Sequence, residues 1–500
     1  MQLVRIADIT PSTYNPREAD PERLRLIELS LTKLGFLLPI YVCRGTGEIL
    51  SGHQRHYVAQ KIGLEYVPVE YVKPLDLAQR KAYNIAFNRG TNDLQRYETS
   101  QTVKAKIKDY DIESLIKNTP DVTDFYPCFN VVKVNGKELA KRNIKNRNKY
   151  SSNLARTLSR VAGYMPVVIT DDLKVINGIG RLFNQLEKGI DTIDCVVIPK
   201  ERAKLAYVML NLVSMDFNIH RKYNDDLRFN SFRRNVANRG GGLGRGFMAG
   251  CLGNKKSKDV KELKGDNLTR FVAKYGMHVV DFGAGRFTDT NILRKAGLNV
   301  YPFEPYICNA SSDKINIRAS IENTKRFLEA VASKQEFSSI FVSSVLNSVP
   351  FVEDRLHIIN ICAALSDDNT LLTIWAMNTK VASINNINSN FINERQSNCN
   401  QFKLDYEENI LLGDIGKSPK VQKYHTKKEL IDLVKNNFSE VKITLHADNY
   451  LVECRKPKIH IDRLTKALEF EFNLPYPDGS RMGLAEEAKQ AFSKRLGVRL

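Results

Sequence analysis

The sequence predicts an α/β protein of several domains, and three observations predict it. At 500 residues the chain is several times the usual domain size of roughly 100–200 residues, so more than one hydrophobic core is expected. Strand-like and helix-like runs alternate along it, as in His278–Phe282, then Thr288–Lys295, then the apolar run that ends at Phe303, the pattern of βαβ units around parallel strands. Hydrophobic residues make up 42% and charged residues 26%, inside the globular range, which excludes wholesale disorder.

The first informative stretch is Leu38 to Val72. PIYVCR-GTG-EIL reads as two short strands joined by a glycine turn. Ser51-Gly52-His53-Gln54-Arg55 then opens a helix that Gly63 closes, and VPVEYV reads as a further strand. A glycine allows close backbone approach to an anion, a helix start points free N–H groups at it, and Arg55 supplies a cationic fork. Gly52, His53 and Arg55 are therefore candidates for contacting a phosphate or nucleotide. With ITPSTYNPR (residues 9 to 17), this stretch resembles the ParB/sulfiredoxin-like family over about residues 1 to 100. The resemblance implies binding of a nucleotide or nucleic acid. No cysteine stands beside Arg55, so sulfiredoxin chemistry is not expected.

A second copy is expected downstream. In residues 165 to 198 the order of strand, turn, strand, helix and strand recurs, and an offset of 126 places Gly52 on Gly178, Arg55 on Arg181 and Gly63 on Gly189. His53 becomes Ile179, so the copy is degenerate and suits a scaffold or a DNA-contacting surface; the alternative is an ordinary helix start at Gly178. Between the copies, spaced apolar residues and the basic run at 137 to 160 suit connecting helices. Residues 233 to 258 concentrate Arg, Lys and Gly without the G-K-[ST] ending of a P-loop, which predicts a basic hinge.

His278 to Tyr306 carries the strongest signal. A strand enters the loop Gly283-Ala284-Gly285, a helix runs from Thr288 to Lys295, Gly297 ends it, and a second strand stops at Glu304, 23 residues after Asp281. Glycines permit close approach of backbone to a cofactor, and an acid about twenty positions on can accept hydrogen bonds from ribose hydroxyls. The loop is D-x-G-x-G, not the G-x-G-x-x-G of dinucleotide binders. It resembles motif I of class I S-adenosylmethionine-dependent methyltransferases, a Rossmann-like fold. The resemblance implies S-adenosylmethionine as cofactor, Asp281 near its methionine part and Glu304 on its ribose, with Gly283 and Gly285 lining the bend. Strands are expected at 337 to 350 and 369 to 376, and a terminal antiparallel hairpin at 441 to 447 and 448 to 456.

The methyl acceptor is less legible. The Pro-Pro of amino-methylating DNA enzymes is missing from SSVLNSVP (343 to 350), and the one Pro-Cys pair, Pro127-Cys128, lies outside this region, which argues against a cytosine-carbon nucleophile. Ser344 and Asn347 are the candidates facing the acceptor, as in methyltransferases of phage and DNA-modification systems, which this segment resembles. Tyr424 and His425 are candidates for lining its pocket, with a plain loop role as the alternative.

The sequence thus predicts a ParB-like α+β domain (1–105), a helical basic connector (106–160), a degenerate ParB-like repeat (161–231), a Rossmann-like methyltransferase domain with a Gly/Arg/Lys-rich entry (232–458) and a helical tail (459–500). With 75 Lys+Arg against 56 Asp+Glu, a formal charge of +19 favours nucleic acid, foremost DNA, as partner. Eight scattered cysteines without a C-x-x-C pair suit neither a zinc site nor a disulfide framework. The start lacks a basic, apolar leader and no apolar run reaches membrane-spanning length, so a cytoplasmic protein is expected, in a bacterial host if phage-encoded. The leading expectation is a DNA- or nucleotide-modifying methyltransferase. The alternatives are a nucleotide-dependent DNA-binding protein or nuclease with the methyltransferase fold as scaffold, and a small-molecule or protein methyltransferase.

Overall fold

The computed structural model describes residues 1–14, 21–90, 110–143, 165–213, 250–253, 262–309, 314–379, 402–404, 407–413, 419–446, 448–476 and 478–500. The chain forms two compact units: Met1–Asn224 with Asn386–Tyr406 and Leu412–Pro419, and Asp225–Asn385 with Glu407–Leu411 and Lys420–Leu500. Most of the glycine-rich basic stretch, and most of the basic run at 137 to 160, lie outside the described residues.

The first unit contains β1 (Gln2–Arg5), α1 (Pro21–Leu34), β2 (Ile40–Cys43), β3 (Ile49–Ser51), α2 (His53–Lys61), β4 (Tyr66–Val72) and α3 (Leu77–Gly90). After these come α4 (Ile112–Lys117), β5 (Val131–Asn135), α5 (Gly136–Asn143), β6 (Val167–Thr170), β7 (Val175–Asn177), α6 (Ile179–Glu187), β8 (Thr192–Ile198) and α7 (Ala203–Tyr207). Two four-stranded sheets result, ordered β1-β4-β2-β3 and β5-β8-β6-β7. Their pairings match: an antiparallel outer pair, a parallel central pair and an antiparallel hairpin, each hairpin with a register shift, at Tyr41/Val42 and Val168/Ile169. Both helix-opening glycines adopt the same left-handed backbone, φ +102° at Gly52 and +100° at Gly178, a conformation that glycine takes without the steric penalty of a Cβ.

Each sheet buries an apolar face of its own, Ile40, Val42, Ile49 and Val58 in one and Val167, Ile169, Leu182 and Ile193 in the other. A third cluster joins them, with Leu34 and Leu37 packed among Val168, Ile176, Val196 and Ile198. One expectation needs correction here. The stretch read as a helical connector supplies β5, the outer strand of the second sheet. Only five residues long and largely exposed, β5 alternates Val132 and Val134 with Lys133 and Asn135 over too short a run to stand out from the basic stretch that follows it.

The second unit contains α8 (Asp266–Tyr275), β9 (His278–Phe282), α9 (Thr288–Lys295), β10 (Asn299–Phe303), α10 (Ile317–Ala332), β11 (Ser339–Ser343), α11 (Val352–Leu365) and β12 (Leu371–Met377). Along the chain come β13 (Phe402–Lys403), in a segment of the first unit, and β14 (Ile410–Gly413), which straddles the division; the second unit continues with β15 (Lys420–Lys423), α12 (Lys427–Val434), β16 (Phe438–His446), β17 (Asn449–Pro457), α13 (Ile461–Glu471) and α14 (Ala485–Leu496). A six-stranded sheet runs β10-β9-β11-β12-β17-β16. Its first four strands are parallel, and the final hairpin is antiparallel with β17 beside β12. Alternation divides the strand side chains between two cores, Val280, Phe282, Ile340 and Val342 on one face, Val279, Phe341 and Trp375 on the other. Strands covered on both faces read as continuous apolar runs, as these do.

Three sequence expectations shift in this unit. The strand expected at 337 to 350 stops at Ser343, Ser344 takes a left-handed φ of +60°, and Leu346–Ser348 form a single 3-10 turn. The tail beyond residue 458 belongs to the same core, because Leu464, Leu468, Phe472, Ala488 and Phe492 bury in the cluster that contains β9 and β11 side chains. Gly250, within the stretch read as a hinge, is a packing residue: a Cβ there would stand 2.6 Å from the Trp375 ring. Among the described residues no helix is long and apolar enough to cross a membrane.

Candidate functional site

The bend between β9 and α9 gathers four of the sequence-predicted residues. Asp281 shares the Val279 side of β9, is 2% exposed, and its Oδ2 accepts a hydrogen bond from Thr290 Oγ1 at 2.5 Å. The neighbouring Asp289 is also buried; burial, then the Asp281 charge, push its carboxyl well above the usual carboxylate range. The loop spends its first amides on β10: Gly283 and Ala284 N–H both donate to Phe303 O, at 2.7 and 3.1 Å. Gly285 N–H donates to Glu304 Oε2 at 2.6 Å, and Tyr306 N–H to Oε1 at 3.0 Å. The Glu304 carboxylate thus ties the end of one parallel strand to the glycine loop leaving its neighbour. Asn323 Oδ1 steadies it further by accepting Glu304 N–H at 3.0 Å.

Gly283 has φ +79°, and a Cβ there would run into Val345 Cγ2. Its lack of a side chain is therefore demanded by the chain leaving β11, a contact the motif does not announce. A cavity of about 380 Å³ lies at the outer edge of β10, lined by Phe287, Arg294, Tyr301, Asn323 and Arg326 among others. Asn323, in its lining, also bonds Glu304.

Of the two candidates for the acceptor side, Ser344 is partly exposed at the carboxyl end of β11, with its N–H donating to Trp375 O at 2.9 Å. Asn347 is 3% exposed, and its Oδ1 accepts Met377 N–H at 3.0 Å. Asn347 thereby fixes the end of β12 to the turn after β11. This edge, outside the carboxyl ends of parallel strands, is where open α/β sheets place ligands.

Sequence reasoning missed the charged cluster behind this edge. Arg355 and Lys423 are each 1% exposed and share Glu407, with Lys423 Nζ 2.9 Å from its Oε1. Lys423 Nζ also reaches Glu429 Oε1 and Glu408 O, both at 2.7 Å, and Arg355 Nη1 donates to Val349 O at 2.8 Å. His425 lies fully buried beside them, bonded through its main-chain N–H to Met377 O. Neither ring nitrogen has a hydrogen bond of standard geometry. Burial foremost, then the Arg355 and Lys423 charges, hold its imidazole well below the usual histidine range. No spacing signal links residues 355, 407, 423 and 425; only the chain fold assembles them.

A neutral buried histidine has a pH signature. Between the ordinary value near 6.5 and the lower folded value, the unfolded chain takes up a proton that the folded chain refuses, so stability falls as pH drops through that window. Urea midpoints at pH 7.5 and 5.5 should show this fall in the parent chain and a shallower one in His425→Gln.

Gly52, His53 and Arg55 lie in the other unit. His53 Nε2 is 2.6 Å from Ser12 Oγ and accepts Ser12 N–H at 3.2 Å, which joins the ITPSTYNPR segment to the SGHQR box. Arg55 curls back over Gly52, with Nη2 3.2 Å from where a Cβ would stand, and Nη1 donates to the Leu38 carbonyl. The guanidinium is thus turned inward from the position a surface fork would take.

No protein-family model matches the chain, and no curated protein matches it. Among solved structures, one to which it is similar is the CcbJ methyltransferase from Streptomyces caelestis, 11% identical, with a TM-score of 0.24 over 37% of this chain and 86% of that one. Another is the C-terminally truncated chromosome-partitioning protein ParB from Caulobacter crescentus complexed with CTP-gamma-S, 21% identical, with a TM-score of 0.17 over 32% of this chain and 78% of that one. These are loose likenesses, each over about a third of the chain, to a methyltransferase and to ParB.

Proposed function

We propose that the second unit is an S-adenosylmethionine-dependent methyltransferase acting in DNA or nucleotide modification, and that the first unit contacts a nucleotide or nucleic acid. The observation that carries the reading is the bond from Gly285 N–H to Glu304, which draws the acid of the second strand onto the glycine loop beside Asp281. A carboxylate has about four acceptor positions, so main-chain N–H groups that orient Glu304 are compatible with ribose hydroxyls as further donors. The donor set fits the cofactor: Glu304 would hold the ribose, Asp281 would lie by the methionine part, and Gly283 and Gly285 would shape the bend.

When bound, the cofactor supplies an already activated methyl group on a sulfonium. The residues of this chain then act by orientation, which accounts for a large part of the barrier lowering when reacting atoms are held near in-line geometry. Ser344 and Asn347 shape the acceptor edge in this reading, Asn347 by fixing Met377. His425, held below the usual histidine range by burial and by the two cations, is a poor proton acceptor.

Isothermal calorimetry with S-adenosylmethionine tests the reading. The parent chain should bind it, and Asp281→Asn, which keeps a partner for Thr290 but loses the charge, should weaken binding by about tenfold or more, a loss of at least about 1.4 kcal/mol. Heat unchanged by the substitution would count against this site. One observation favours a second reading, the scaffold role: Val345 packs directly on Gly283, in the space over the glycine loop. Absence of any binding in the parent chain would support it.

A further inference from the structure

We infer that the second unit methylates a nucleobase atom that brings a lone pair and no proton, a ring nitrogen or a carbonyl oxygen, and that Asn347 selects it by donating a hydrogen bond. The inference rests on the reading of this unit as a methyltransferase of DNA or nucleotides and names the acceptor class at the same site.

Hydrogen-bond accounting in the turn after β11 carries the argument. An exocyclic amine is held for transfer by oxygens that accept its N–H groups, and this turn aims its oxygens into the fold. Val345 O accepts Ser348 N–H at 2.9 Å, and Leu346 O accepts Val349 N–H at 3.4 Å. Val349 O accepts Arg355 Nη1 at 2.8 Å. Asn347 Oδ1 accepts Met377 N–H at 3.0 Å. A main-chain N–H only donates, so this last bond fixes which end of the amide is oxygen. Nδ2 is what the amide has left, two N–H groups with no partner among the described residues and open to solvent. Because Asn347 is otherwise buried, that donor is held in place at the carboxyl ends of β11 and β12. The partly exposed Ser344 hydroxyl serves either way and does not discriminate.

The chemistry follows from the donor. A base edge offers carbonyl oxygens and ring nitrogens as acceptors, and one of these beside the reacting atom would meet Nδ2. The new bond forms from the reacting atom's own lone pair to the methyl carbon while the carbon–sulfur pair returns to sulfur, and the base takes over the positive charge. No proton leaves in that step. An amine would have to lose one, and His425, tied to the end of β12 through Met377 O, is a poor base for it. The carboxylates of Glu407 and Glu429 are engaged by Arg355 and Lys423.

The test incubates the full chain and methyl-labelled S-adenosylmethionine with mixed-sequence DNA, single- and double-stranded, and with the four nucleoside monophosphates, then separates the nucleosides. Label should appear on ring nitrogens or oxygens. Asn347→Asp keeps an oxygen for Met377 N–H and replaces the donor with an acceptor, so it should lower this transfer about tenfold. Thermal melts and calorimetric S-adenosylmethionine affinity should stay at the parent's values. With S-adenosylhomocysteine bound, where no transfer occurs, the same substitution should weaken binding of the nucleotide that is methylated by a similar factor. Label on an exocyclic amine of adenine or cytosine, or transfer and binding unmoved by Asn347→Asp, would overturn the inference. Should Asn347→Asp lose stability, the identity of the parent's product still decides. Cofactor binding without label in any base would overturn the acceptor class and leave the cofactor site standing, whereas no cofactor binding in the parent chain would remove the methyltransferase reading itself.

Discussion

Gly283→Val is expected to cost the second unit several kcal/mol and, on the proposed reading, to abolish S-adenosylmethionine binding. The left-handed φ of +79° strains any residue with a Cβ by about 1–2 kcal/mol. The new side chain would also drive into Val345, which already crowds the Cβ position, and overpacking of this kind adds roughly 1–3 kcal/mol. Relief of the clash would have to come from the loop, and the loop holds the Gly283 and Ala284 bonds to Phe303 O and the Gly285 bond to Glu304. Binding and stability should therefore fall together. Urea denaturation and calorimetry measure the two, and a cycle with Gly283→Ala and Val345→Ala separates their causes. If the contact dominates, Val345→Ala restores much of the stability lost in Gly283→Ala; if the backbone conformation dominates, it restores none.

The other large effect is expected from the buried ion network. Removing one member of a buried pair leaves an uncompensated charge and typically costs about 3–5 kcal/mol. Arg355→Met and Lys423→Met should each fall in this range, since both cations are 1% exposed and Glu407 is shared between them. Denaturant unfolding checks this. Because the two cations depress His425, loss of either should also move its titration toward the ordinary histidine value, readable by NMR of the imidazole. A small stability change with an unmoved histidine would mean that water reaches the network. Since these residues lie behind Asn347 and Met377, S-adenosylmethionine affinity should, on the proposed reading, change less than it does in Gly283→Val.

What the sequence made legible follows from how local each signal is. The strand at His278–Phe282, the helix at Thr288–Lys295 and the turn glycines are written in neighbouring residues, and the structure has them at those positions. The 126-residue offset between Gly52 and Gly178 was readable because a backbone with φ near +100° favours glycine, which has no Cβ to strain it. β5 is weakly marked, because the five residues VVKVN carry little of a period-2 signal and the strand is exposed, held by its pairing with β8. Arg355 and Lys423 read as ordinary solvated residues, and His425 as a pocket-lining candidate or a loop residue, since charge in sequence says nothing about burial until a distant segment, here Glu407, folds over it.

By itself, then, the sequence determined an α/β chain with a D-x-G-x-G bend and an acid at the next strand end, because periodicity and the absence of a Cβ act over a few residues. Tertiary structure alone decided that Glu304 bonds to Gly285, that Val345 fills the space over Gly283, that Arg55 turns inward to Leu38, and that the tail helices complete the core. Each of these joins residues from separate elements, and such contacts exist only once packing has chosen which faces meet.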